Sequence, residues 1–130
     1  MKIVLTKEEL KNVIHTALCN GLVQLSYSDI HINVDPKLYD KAKYKLKKEN
    51  PNTTICLEDI YCQILYNGDK LHFIDEEGDE NASFDLEQAE TNLSKEVAND
   101  HILAIIYEND DACNADAILQ ICLYGEVIFG

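Results

Sequence analysis

The chain has 130 residues, of which 46% are hydrophobic and 27% charged, and its net charge is −13 from 11 basic and 24 acidic side chains. That length suffices for one core without disulfide or metal staples, and the acidic balance argues against general binding of DNA or RNA through phosphates, which needs a basic face. No apolar run approaches the roughly 20 residues that span a bilayer, so neither a membrane segment nor a signal peptide is expected.

Along the chain, Lys2 to Leu5 reads as a short strand. Thr6 and Glu9 then form a capping box ahead of Leu10, Val13, Ile14, Ala17 and Leu18, which share one helical face. Asn20-Gly21 is expected to stop that helix. Leu22 to Tyr27 and Ile30 to Val34 are β-rich, the second with strict alternation, and predict two half-buried strands or one broken strand. Asp35-Pro36 opens a lysine-rich helix that runs to about Glu49, with a narrow apolar stripe of Leu38, Ala42 and Leu46. Leu57, Ile60, Tyr61, Ile64 and Leu65 repeat the full helical face, and Asn67-Gly68 closes it.

Lys70 to Asp75 and Ala82 to Leu86 alternate around the acidic turn Glu76 to Glu80, which predicts a β-hairpin. Glu87 to Ser94 is polar and ambiguous. Ile102, Leu103, Ile105 and Ile106 mark a further helix before the loop Asn109-Asp110-Asp111. Ala115, Ile118, Leu119, Cys122 and Leu123 form a last helical face, followed by an expected terminal strand from Glu126 to Phe129. The sum is an α+β fold of about four to five amphipathic helices on a small mixed or antiparallel sheet, one domain over residues 1–130.

Catalytic sets are sparse. His15, His31, His72 and His101 are scattered, none at HExxH spacing and none beside a Ser or Cys nucleophile motif, and no glycine-rich phosphate loop occurs. The acidic run from Asp75 to Glu80 lacks the spacing of a calcium loop. Asp29, His31 and Asp35 alternate along a strand, a pattern as consistent with a solvated face as with a metal. No metal or cofactor is expected. Five cysteines without a C-x-x-C pair (Cys19, Cys56, Cys62, Cys113, Cys122) read as small core hydrophobes in a reducing cytosol.

Charge is unevenly placed. Lys37, Lys41, Lys43, Lys45, Lys47 and Lys48 give one short segment a local charge of about +4, leaving about −17 for the remainder. Lys41, Lys45 and Lys48 are spaced to project together, either as a solvated face or as contacts for phosphates or an acidic patch on a neighbouring subunit. Tyr39 and Tyr44 lie nearby, where they would stack on a base.

The start Leu5-Thr6-Lys7-Glu8-Glu9-Leu10, running on through Thr16 to Leu22, resembles the opening of a widespread family of small bacteriophage proteins. The close, from Asp110-Asp111-Ala112-Cys113-Asn114-Ala115-Asp116-Ala117-Ile118-Leu119-Gln120 to Tyr124-Gly125-Glu126-Val127-Ile128-Phe129-Gly130, resembles their ending more closely. That family is similar in turn to phage anti-defence sponges, which sequester the cyclic nucleotide signals of bacterial immune systems such as CBASS. The resemblance implies a non-enzymatic protein of the infected host's cytoplasm that captures a cyclic nucleotide as a homo-oligomer, a dimer or tetramer. Family members often carry two glycines and an aromatic residue after the first helix; here the place reads Asn20-Gly21-Leu22, with the aromatic delayed to Tyr27. Asn20, Gly21 and Tyr27 are therefore the expected ligand residues, with Lys41 and Lys45 for phosphate. The competing expectations are an acidic protein that inhibits a host enzyme by mimicking DNA, a virion component, and, least favoured, an enzyme acting on the immune nucleotide.

Overall fold

The computed structural model describes residues 3–109 and 111–129. Its elements in order are α1 (Lys7–Ser26), β1 (Ile30–Asn33), α2 (Pro36–Glu49), α3 (Leu57–Tyr66), β2 (Leu71–Asp75), β3 (Ala82–Phe84), α4 (Leu86–Leu93), a short 3-10 turn (Glu96–Ala98), α5 (Asn99–Ile106) and α6 (Ala112–Tyr124). The fold is α+β. Six α-helices among the described residues exceed the four to five expected, and the small sheet is antiparallel rather than mixed, with order β1-β2-β3.

α6 is the centre of the molecule. Ala115 and every residue from Ala117 to Leu123 are buried, because α1, α4 and α5 all pack against this one helix. Beyond its exposed first turn, where Ala112 and Cys113 meet solvent, the helix is buried nearly all round, which sets it apart from the one-sided α1 and α3. Phe73 of β2 and Phe84 of β3 stack at 6.2 Å on the inner face of the sheet. Ile30, Leu71, Phe73 and Phe84 are all buried there, while His72 and Ile74 alternate outward.

Several expectations change, and one ambiguous stretch resolves. The first helix does not stop at Asn20-Gly21 but continues to Ser26, which removes the strand expected over Leu22 to Tyr27. Leu18, Gly21 and Leu25 prolong the buried face at helical spacing, so packing against α6 overrides the β-rich local composition. The polar stretch after Leu86 is helix α4: Asp85 caps it, Ala89 and Leu93 are buried, and Gln88 and Asn92, one turn apart, both donate to the Cys122 carbonyl of α6. Ile3 to Leu5 form no strand, and Lys2 lies outside the described residues.

The terminal strand is also absent. Gly125 ends α6 with a positive φ of 78°, a conformation glycine takes without steric cost, and the chain turns back as an irregular tail. Its backbone groups are satisfied by one side chain instead of a neighbouring strand. The buried Gln120 accepts from the N–H groups of Ile128 and Phe129, both at 2.9 Å, and donates to the Phe129 carbonyl and to Asp116. Asp110 of the expected loop and Gly130 of the tail lie outside the described residues. No helix among the described residues is long and apolar enough to cross a membrane.

Candidate functional site

Asn20 on α1 and Tyr27 at its C-cap, seven residues apart, are both exposed, with Val23 exposed between them. Gly21 points the other way. It is buried where α1 crosses α6, and a Cβ there would stand 2.9 Å from the Ala115 carbonyl carbon and oxygen. Its place in the sequence is therefore fixed by helix packing. Lys41 and Lys45 are exposed on α2, whose Ala42 is buried against the body of the protein and whose Leu38, Tyr39 and Leu46 pack on the core. Tyr39 is thus a packing residue, whereas Tyr44 is 70% exposed and open to solvent.

Lys37, Lys41, Lys45 and Lys48 recur at four, four and three residues, so they form one exposed stripe along α2. None of them meets a carboxylate within 4.0 Å among the described residues. A basic stripe left unpaired on so acidic a chain is a local attractor for anions. The five expected ligand residues do not converge on a cavity. Among the best-formed grooves of the described surface, of about 250 to 440 Å³, none is lined by Asn20, Gly21, Tyr27, Lys41 or Lys45.

One groove does carry a dense set of polar side chains. It holds about 250 Å³ between α1, the C-terminal end of α2, the following loop and α3, and its lining includes Lys11, Asn50, Thr53, Thr54, Gln63 and Tyr66. Lys11 Nζ stands 5.2 Å from the centre of the Tyr66 ring. His15 and Asp59 also line it, with His15 Nε2 at 2.9 Å from Asp59 Oδ1. The other ring nitrogen, Nδ1, faces Cys19 Sγ at 3.6 Å. Partial burial pushes the Asp59 carboxyl up, but the Cys56 backbone N–H, His15 and Lys11 outweigh it and hold the group below the usual carboxylate range. The Cys19 thiol is pushed up by its own partial burial and by the nearby Glu58, Asp59 and Cys56.

The sequence places His15 and Cys19 one helical turn apart, and that spacing was the available signal for their contact. Asp59 joins them only through the tertiary packing of α3 on α1, which no local pattern reveals. The cysteines divide differently from expectation. Cys62 and Cys122 are buried, and burial carries each thiol up to about 12, while Cys19, Cys56 and Cys113 are exposed. Helix faces place them so: each of the three sits on the polar side of its element or at its end.

The remaining acidic features have structural roles. Asp75 turns its carboxylate into the acidic hairpin, where it accepts from the backbone N–H groups of Glu77, Gly78 and Glu80 at 3.1 Å each. Glu76, Glu77, Asp79 and Glu80 are left exposed around it. Among the described residues no three His, Cys, Asp or Glu side chains form a metal-holding group, and Asp29, His31 and Asp35 do not assemble one. Comparison with protein-family profiles, curated proteins and solved structures finds no match to this chain.

Proposed function

We propose that the protein is a phage-encoded, non-enzymatic anti-defence protein that captures a cyclic nucleotide signal in the cytoplasm of the infected host. The observation that carries this reading is the unpaired lysine stripe of α2, since lysine ammonium groups with no carboxylate partner are free to meet phosphates. Lys41 and Lys45 take the phosphates. Tyr44 beside them, and Tyr66 at the neighbouring groove, offer exposed aromatic faces for bases, with Asn50 and Gln63 able to hydrogen-bond base edges.

The groove's volume of about 250 Å³ falls below the roughly 300–1,000 Å³ common for small-molecule sites, enough for one base but not for a whole cyclic dinucleotide. A complete enclosure then needs a second copy of the chain, in keeping with a homo-oligomer. Calorimetric titration against a panel of cyclic di- and trinucleotides tests the reading. Binding of one of them at micromolar or tighter affinity is expected, weakened at least about tenfold in Lys41→Glu/Lys45→Glu by reversal of two phosphate contacts. Absence of heat with every member of the panel at high micromolar concentration would sink it.

A second reading draws on the acidic hairpin. Because Asp75 pins the backbone of that turn, Glu76, Glu77, Asp79 and Glu80 are presented as a fixed array of negative charge, as in a protein that mimics DNA toward a host enzyme. Neutralising these four side chains to Gln and Asn abolishes inhibition by a mimic. A nucleotide sponge is unaffected by the same change.

A further inference from the structure

We propose that Cys19 is a nucleophilic thiol, served by His15 as its base and by Asp59 as a positioning residue, that exchanges with small disulfides carrying no net negative charge. This inference is independent of the cyclic-nucleotide reading. It starts from a chain of three side chains on two helices. His15 and Cys19 stand one turn apart on α1, with Nδ1 at 3.6 Å from Sγ, and Asp59 from the first turn of α3 holds Nε2 at 2.9 Å.

The tautomer follows from the donor inventory. An ionised carboxylate only accepts, so the Asp59 contact requires the proton on His15 Nε2. In the neutral ring Nδ1 is then an unprotonated acceptor, and it is the atom that faces the thiol. Asp59 is itself fixed, since its second oxygen accepts the Cys56 backbone N–H at 3.0 Å. A carboxylate that orients an imidazole, whose free nitrogen meets a nucleophile, is the arrangement by which a weak nucleophile is activated.

Neither partner is hidden. The His15 and Asp59 side chains are each 38% exposed and Cys19 is exposed, so a small reagent reaches the sulfur. Cys56 and Cys113 are also exposed, but among the described residues neither sulfur has a histidine partner, and Cys62 and Cys122 are buried. The reaction balances without a further reagent. His15 Nδ1 takes the thiol proton, Cys19 Sγ attacks one sulfur of the disulfide, and the S–S bond breaks. The departing thiolate recovers the proton from His15 and leaves as a thiol, with Cys19 in a mixed disulfide.

The charge preference comes from the surroundings. Glu58 and Asp59 both act on Cys19 from the start of α3, and among the described residues no lysine balances them at the sulfur. An anionic disulfide approaches against that field, whereas a cationic one is drawn in.

The test treats the intact protein at neutral pH with cystamine, a cationic disulfide, and with oxidised glutathione, an anionic one, and follows each cysteine by peptide mass spectrometry. Cys113 is the internal reference for folding and reagent. With cystamine, Cys19 is expected to react at least about tenfold faster than Cys113, and His15→Gln to bring it down to the Cys113 rate, since general-base assistance contributes about 10²-fold or more where it operates. Asp59→Asn slows Cys19 and leaves the Cys113 rate unchanged, and Asp59→Glu, which restores the carboxylate, recovers part of the Cys19 rate. The excess of Cys19 over Cys113 shrinks with oxidised glutathione. Equal rates at Cys19 and Cys113, or an unchanged Cys19 rate in His15→Gln, would overturn the proposal. An excess equal for both reagents overturns the charge preference.

Discussion

Gly21 is the residue where sequence and packing are most tightly bound together. A methyl group there meets the Ala115 backbone at 2.9 Å, and backbone, unlike a side-chain tip, cannot swing aside. Gly21→Ala gains about 1 kcal/mol of helix propensity but forces α1 and α6 apart, and overpacking of a close contact costs about 1–3 kcal/mol. A net loss of up to about 2 kcal/mol is expected in urea unfolding, and a raised midpoint contradicts the packing account. Asp116 makes a prediction of the opposite sign. Burial raises its carboxyl above the ordinary 3.8, only partly offset by the bond from Gln120, and its Oδ1 is buried without a hydrogen-bond partner among the described residues. The folded state therefore holds the proton more tightly than the unfolded chain. That contribution is complete below pH 3.8 and is lost as pH rises through the folded value. Asp116→Asn, which removes the charge and keeps an acceptor for Gln120, is expected to raise the melting temperature at pH 7 and to change it little in acid.

At the scale of elements, strong periodicity was legible and termination was not. The faces built on Leu10, Ile60 and Ala115, the capped start at Thr6, the proline-led α2 and the hairpin stand where hydrophobic spacing puts them, although Leu57, expected on the second face, is 45% exposed at the first turn of α3. Asn20-Gly21 has the composition of a helix end, yet a glycine at a helix crossing has the same composition, and only the partner helix decides between them. The tail after Gly125 misled for a related reason. Val127, Ile128 and Phe129 have strand propensity, but Gln120 occupies the hydrogen-bonding role a neighbouring strand would have, and a lone glutamine in an apolar face gives no local sign of that. Of the candidate site, the lysine stripe was legible from spacing, while the link from His15 to Asp59 spans 44 residues of sequence and was not. Gln120→Ala tests the tail's attachment. It leaves two backbone donors of the partly exposed tail without their acceptor, and the amides of Ile128 and Phe129 are expected to lose hydrogen-exchange protection. Protection that survives the change would place the tail's restraint elsewhere.

For the whole molecule, charge separation is the organising feature. A strip of about +4 on α2 sits on a chain whose remainder carries about −17, and the acidic hairpin is held rigid by Asp75. Two copies with such opposed surfaces attract one another at low salt and less at high salt. Light scattering is expected to report a dimer or tetramer, stabilised further by ligand through mass action. A monomer at every concentration, with and without ligand, contradicts the shared-site account. Capture without chemistry is the central claim, and recovery of the ligand tests it most directly. The protein is incubated with the cyclic nucleotide that it binds, repurified by gel filtration and denatured by heat, and the released nucleotide is identified by chromatography. Intact cyclic nucleotide at a fixed ratio to protein is the expected result; a linear or dephosphorylated product, or no nucleotide travelling with the protein, would contradict it.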